Sequence, residues 1–137
     1  MPSTEEISKY VTDQAAQDII DIASQGITYW ATEPTAEEFA GLPEGKQWTI
    51  VEGVDDTSWG GEREVDEVHY LYADDIRRAY AEILDPKQEH VNREVRWYVL
   101  ESWLDRDEED GIETANIDAD VADVLVQVAA LEEVRYG

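Results

Sequence analysis

The chain lacks the residues and segments on which several classes of protein depend. It has no cysteine, which excludes disulfides, thiolate catalysis and cysteine metal ligands. It has no apolar run near the ~18 residues that a membrane span needs. Residues 1–6 show neither the basic start nor the apolar stretch of a signal peptide. These absences predict a cytoplasmic protein that does not engage a membrane.

Motifs for catalysis and for metal binding are also missing. There is no Gly-x-Ser-x-Gly and no phosphate-binding loop. The only two histidines, His69 and His90, lack a paired ligand spacing. His69 alternates with Val68 and Tyr70, which predicts a place on the exposed face of a strand. We therefore expect no enzyme activity, no cofactor and no metal site.

Basic residues are scarce, and acidic residues dominate the charge. There are 34 acids against 10 bases, which gives a net charge of −24. The charge lies in blocks: residues 50–75 carry −8 and residues 101–123 carry −9, whereas residues 76–100 carry +1. Such a charge repels nucleic acid and favours a basic partner. The arginines of the middle block, Arg77, Arg78, Arg93 and Arg96, are expected to pair mainly with neighbouring acids.

The apolar pattern predicts one α+β domain over residues 1–137, with a small, mainly antiparallel sheet of about three strands packed with about four helices. Strands are expected at 27–31, 47–51 and 65–72, the last two forming a hairpin connected through 53–63. The tail 133–136 could add a short strand. The residues expected to cap helices are Ser3, Thr12 or Asp13, Thr35, Asp74 and Asp118, and a further helix is expected from about Asn92 to Leu104.

The helix that follows Asp118 should be the most buried element, because its apolar run is hardly interrupted. The residues expected in the core are Ile19, Ile20, Trp30, Ile50, Tyr70, Ile83, Val99, Val124, Leu125 and Val128.

Several segments carry a resemblance to a known group of proteins. They are ITYWA at 27–31, LDRDEEDGI at 104–112, IDAD at 117–120, ADV at 122–124, VQ at 126–127 and EVRYG at 133–137. Together they resemble the terminal motifs of small acidic proteins encoded by bacteriophages of actinobacteria. Ala130 and Leu131 stand where that group usually has glycine and phenylalanine. The resemblance does not indicate any catalytic residues in this chain. It implies a phage accessory protein that acts in the cytoplasm of its host cell.

The leading hypothesis is an inhibitory binding protein that imitates DNA and blocks a host DNA-binding or defence protein. If residues 101–123 were wholly helical, their charge would be spread at about one per 4 Å, close to the ~3.4 Å per phosphate of one DNA strand. The partner would be basic, and no direct nucleic-acid binding is expected. The candidate partner-binding residues are Asp105, Asp107, Glu108, Glu109, Asp110, Glu113, Asp118, Asp120, Asp123, Asp55, Asp56 and Trp59.

The alternative is an adaptor that binds a host protein through Trp59 and the hairpin, with acidity serving only solubility or halophilic adaptation. Trp59 lies in a polar loop and either folds back under the hairpin or forms a binding anchor. The other four tryptophans are expected in the core. The helix around Trp97 is apolar nearly all round, so it is either central or forms the seam of a homodimer.

The acidic run 105–116 resembles a calcium loop only at its start. Asp105, Asp107 and Glu109 alternate as ligands do, but Asp110 stands where the loop needs glycine and Asn116 where it needs a bidentate glutamate. We predict that calorimetric titration with calcium shows no binding tighter than roughly millimolar, the weak end for such loops. A micromolar calcium site at these carboxylates would contradict this interpretation.

Overall fold

Six α-helices and a three-stranded antiparallel sheet make up the computed structural model, which describes residues 2–136 and confirms the α+β class. No helix in this range is long and apolar enough to cross a bilayer. The elements are α1 (Thr4–Tyr10), α2 (Asp13–Ser24), β1 (Ala31–Thr32), α3 (Ala36–Ala40), β2 (Trp48–Asp55), β3 (Arg63–Leu71), α4 (Ala73–Leu84), α5 (Arg93–Leu104) and α6 (Ala119–Leu131).

Side-chain caps begin five of the helices, four of them at the predicted residues. Each cap accepts a hydrogen bond from the backbone N–H three residues later, which satisfies a donor that the helix leaves free. The confirmed caps are Ser3, Thr12, Thr35 and Asp118, and Asn92 in addition caps α5.

The cap predicted for α4 is wrong. The helix begins at Ala73, so Asp74 already lies in its first turn. Asp75 accepts from the Tyr72 N–H at 3.0 Å, while Asp74 binds Arg77 at 2.7 Å. The negative charge is still favourable at this helix end because it faces the positive end of the helix dipole.

The sheet has the order β1-β2-β3 and contains the predicted hairpin, with a shorter connection than expected. Both strands run further toward the tip, so the connection is only residues 56–62. Glu52 pairs with Glu67 but Gly53 pairs with Val65, which leaves Asp66 as the extra residue of a bulge.

Two predicted strand segments are wrong. Of residues 27–31, Ile27–Tyr29 form a 3-10 turn and only Ala31 belongs to β1. The tail 133–136 is not a strand. In both places side-chain contacts to α6, described below, override the β-preference of the local sequence.

The core is built around α6, as predicted. This helix packs against α2, α4, α5 and β3, and nine of its 13 residues are buried. Eight of the ten residues expected in the core are buried; Tyr70 and Val124 are only half-buried. The Tyr70 hydroxyl donates to the Glu38 carbonyl at 2.9 Å, beside α3. A fully buried side chain such as Leu125 contributes about 1.5–3 kcal/mol.

Gly111 allows the segment between α5 and α6 to lie against α1. Its φ is +80°, and a Cβ there would stand 2.1 Å from the Tyr10 carbonyl oxygen. Gly45 has a similar φ of +87° but no atom within 4 Å of that position.

We predict that Gly111→Ala lowers the free energy of unfolding by more than Gly45→Ala. At Gly45 the left-handed backbone alone costs about 1–2 kcal/mol. Equal losses in urea denaturation would show that the segment does not dock on α1.

Candidate functional site

The acidic segment between α5 and α6 is a tight turn. Asp107 and Gly111 exchange backbone hydrogen bonds of 2.8 and 2.9 Å, and the Asp107 carboxylate accepts from the Glu109 N–H at 2.7 Å. The Ile112 N–H donates to the Tyr10 carbonyl at 2.8 Å, which ties the turn to α1. Since the segment is not helical, the charge spacing calculated for a continuous helix does not hold.

Eight of the predicted partner-binding acids lie exposed on this turn and at the start of α6. The Asn116 amide donates to Asp105 at 2.9 Å and so links the two ends of the turn. We call the eight residues the acidic turn patch: Asp105, Asp107, Glu108, Glu109, Asp110, Glu113, Asp118 and Asp120.

The acids of the patch differ in how far the fold already uses them. Glu108 accepts from Lys9 at 3.1 Å and from the Tyr10 hydroxyl at 2.9 Å, and these hydrogen bonds lower the pKa of Glu108. Across residues 2–136, no hydrogen bond or ion pair engages the carboxylates of Glu109, Asp110 and Asp120. These three acids are free for a partner.

Asp123 was predicted to belong to this surface, and that prediction is wrong. Its carboxylate is buried and accepts from the Tyr29 hydroxyl at 2.5 Å, from Trp30 Nε1 at 2.8 Å and from Gln127 Nε2 at 2.9 Å. Burial, followed by the hydrogen bond to Asp123, raises the pKa of Tyr29 to about 12. Asp123 is therefore a structural carboxylate, because three donors satisfy its charge away from water.

Gln127, one turn further along α6, holds the C-terminal tail. Its Oε1 accepts from the backbone N–H groups of Arg135 and Tyr136, each at 2.9 Å, and its Nε2 donates to the Tyr136 carbonyl at 3.0 Å. The Tyr136 ring stacks on Trp30 with centroids 5.6 Å apart. A side-chain amide thus binds the tail in place of a neighbouring strand. The same contacts join the segments 27–31 and 133–136.

A second buried carboxylate, Glu52, lies where β2 meets the tail. It accepts from Arg135 Nη1 at 2.9 Å and from the Tyr136 hydroxyl, and its other oxygen lies 3.1 Å from His69 Nε2. Burial favours a raised pKa for Glu52, but the hydrogen bonds from Tyr136, His69 and Arg135 outweigh it and the pKa is lowered. The side chain of His69 is only 12% exposed, so the prediction of an exposed histidine is wrong.

The amino-acid pattern did not predict this cluster. His69 and Arg135 lie 17 and 83 residues from Glu52 along the chain, so no local spacing connects them. The sequence offered only an indirect indication of the cluster. Pairing of the predicted strands 47–51 and 65–72 in the correct register would place His69 near Glu52, the residue that follows the first strand.

The tip of the hairpin forms a separate candidate surface. Trp59 is 90% exposed, so the expectation that it folds back under the hairpin is wrong, and the anchor alternative stays open. Asp55 accepts from the Thr57 N–H at 3.0 Å and from its hydroxyl at 2.6 Å, which shapes the turn that presents Trp59. Asp56 is exposed beside it.

Of the four arginines of the middle block (residues 76–100), Arg77 and Arg78 pair with acids as predicted, whereas no ion pair within residues 2–136 involves Arg93 or Arg96. Arg77 binds Asp13 and Asp74, each at 2.7 Å, and Arg78 lies 3.5 Å from Asp75. Arg96 donates to the Leu84 carbonyl at 2.8 Å. These guanidinium groups serve to hold the helices together.

The helix α5 is not central. It buries Val99, Ser102 and Trp103, while Trp97 is 53% exposed and Leu104 61% exposed. The expectation that Trp97 lies in the core is therefore wrong. The alternative that this exposed side forms the seam of a homodimer stays a prediction.

Two aspartates of α6 give a direct test of how the acids are divided between structure and surface. Asp123→Asn places an amide N–H₂ among three donors, so we predict that it lowers the free energy of unfolding by about 1.5–3 kcal/mol. The matched change Asp120→Asn, at an exposed acid three residues earlier, should change it by no more than about 0.5 kcal/mol. Urea denaturation followed by tryptophan fluorescence measures both. A similar effect of the two changes would show that Asp123 is not the structural acid.

Comparison of this chain with protein-family models, with curated proteins and with solved structures found no match. The resemblance to phage proteins therefore stays a prediction from the motifs.

Proposed function

We propose that this protein is an inhibitory binding protein that imitates DNA and occupies the DNA-binding face of a basic host protein. One observation carries the proposal: among the 34 acidic side chains, all of which lie in the described residues 2–136, only Glu52 and Asp123 are buried. Most of the negative charge is therefore presented outward. A surface of this kind attracts a protein that normally binds phosphates.

The few bases do little to offset this outward charge. Six of the ten take part in ion pairs within the fold, namely Lys9, Lys46, Arg63, Arg77, Arg78 and Arg135. Each pair neutralises one acid together with one base, so the net charge of −24 is unchanged and rests on the remaining acids. Exposed carboxylates then act mainly by accelerating encounter, and each contributes modestly to affinity.

The acidic turn patch is the best candidate for the contact itself. Its backbone is closed by the paired hydrogen bonds of Asp107 and Gly111 and anchored on Tyr10. Carboxylates on an ordered turn lose little freedom when a partner binds, which lowers the entropic cost of association. Glu109, Asp110 and Asp120 combine this order with free carboxylates.

A triple variant tests the patch. We predict that Glu109→Gln, Asp110→Asn and Asp120→Asn together weaken capture of a DNA-binding protein from an actinobacterial lysate by about fivefold to tenfold. Each exposed carboxylate contributes only a fraction of a kcal/mol. Duplex DNA should release the captured protein. The control Glu37→Gln, Glu44→Gln and Glu89→Gln removes the same charge at exposed positions elsewhere and should have less than half that effect.

Three outcomes would contradict DNA imitation at this patch. Equal weakening by both triple variants would mean that net charge alone governs binding. A captured protein that holds DNA and this protein at the same time would exclude competition for one site. Capture of no DNA-binding protein would remove the proposed partner.

The exposure of Trp59 supports the adaptor as a second candidate function. An indole that is 90% exposed at an ordered turn has the properties of a binding anchor, since such residues concentrate interface energy. If Trp59→Ala abolishes capture, and the triple variant of the patch does not, the hairpin tip is the contact and the adaptor function replaces DNA imitation.

A further inference from the structure

The strand register brings three possible metal ligands together at the C-terminal tail. Glu52 on β2 pairs directly with Glu67 on β3, and His69 lies two residues further along β3. Because side chains alternate between the faces of a sheet, Glu67 and His69 share the face that Glu52 occupies. One ligand atom from each residue lies within 4.8 Å of the other two.

The separations suit a small transition-metal cation. Zinc binds nitrogen and oxygen ligands at about 2.0–2.2 Å in tetrahedral geometry, so neighbouring ligand atoms lie about 3.4 Å apart. His69 Nε2 is 3.1 Å from Glu52 Oε1 and 3.9 Å from Glu67 Oε2, values that bracket this spacing. The Glu67 side chain is 68% exposed and so has room to close the longer distance.

Two further features point to a cation. Arg135 and Tyr136 bind Glu52 at Oε2, which leaves Oε1 directed at His69. Hydrogen bonds from residues that do not touch the metal commonly orient carboxylate ligands in this way. In addition, Glu52 and Glu67 are like charges directly opposite each other on paired strands, which is destabilising. Within residues 2–136, Arg135 pairs with Glu52 but not with Glu67, so a cation between the two carboxylates would relieve their repulsion.

We propose that Glu52, Glu67 and His69 form a binding site for a divalent transition-metal cation of the Zn²⁺ type, with water completing the coordination. The imidazole nitrogen selects against Ca²⁺ and Mg²⁺, which prefer oxygen ligands in larger number. On binding, the ring proton resides on Nδ1 and the Nε2 lone pair turns to the metal. The bound cation would link β2 to β3 beside the C-terminal tail, which hydrogen-bonds to Glu52.

The experiment is calorimetric titration of the whole chain with Zn²⁺, with Co²⁺ absorption as a report on tetrahedral geometry. We expect saturable binding of one Zn²⁺, and no comparable binding of Mg²⁺. Glu67→Gln, at the most exposed ligand, should weaken Zn²⁺ affinity at least about tenfold. Loss of a residue that merely hydrogen-bonds to a metal ligand already costs about tenfold to a hundredfold. His69→Gln should weaken it similarly.

The matched control is Glu89→Gln, which removes one exposed charge outside every candidate site and should leave Zn²⁺ affinity within about twofold. Circular dichroism of each variant verifies the fold. If Zn²⁺ binding does not saturate at one equivalent, or if Glu67→Gln and Glu89→Gln weaken it equally, the cation merely condenses on an acidic surface and the site is overturned.

Discussion

The burial of two carboxylates, Glu52 and Asp123, is the constraint on which the arrangement of the chain ends depends. An ionised carboxylate removed from water is stable only when hydrogen-bond donors or opposite charges surround it. Asp123 takes its donors from Tyr29, Trp30 and Gln127, and Glu52 takes them from His69 and the tail. The segment before β1, the sheet and the tail must therefore converge on α6, which is why neither flanking segment follows its own β-preference.

The same constraint divides the acids into two kinds with opposite roles. The two buried carboxylates specify contacts within the fold, and the others lie at or near the surface, where they repel one another and attract cations or a basic partner. Some surface acids still serve the fold, as Asp118 does by capping α6 and Asp107 by shaping the acidic turn. Acidic residues that form no internal bond, such as Glu109 and Asp110, are the ones most plainly available for function.

The sequence predicted elements better than it predicted side-chain positions. Capping residues and apolar spacing identify helices because these are local signals, and the hairpin follows from two patterned strands. Asp123 was misplaced because aspartate near a helix start normally faces water, and nothing local reveals the indole and the hydroxyl that reach it from residues 29 and 30. The exposure of Trp59 was equally hidden, since its burial depends on whether another segment covers the tip. The Glu52 cluster required the strand register, which local pattern does not supply.

We expect that internal hydrogen-bond donors, and not concentrated salt, stabilise this acidic fold and leave its surface charge available to a partner. Measuring unfolding by circular dichroism and tryptophan fluorescence from about 0.01 M to about 1 M NaCl tests this most directly. The Debye length falls from about 30 Å to about 3 Å over that range. We predict a folded chain with cooperative unfolding throughout, only moderately more stable at high salt. Loss of the fold below about 0.15 M, with recovery at molar salt, would mean that the acidity is halophilic adaptation and would contradict the account.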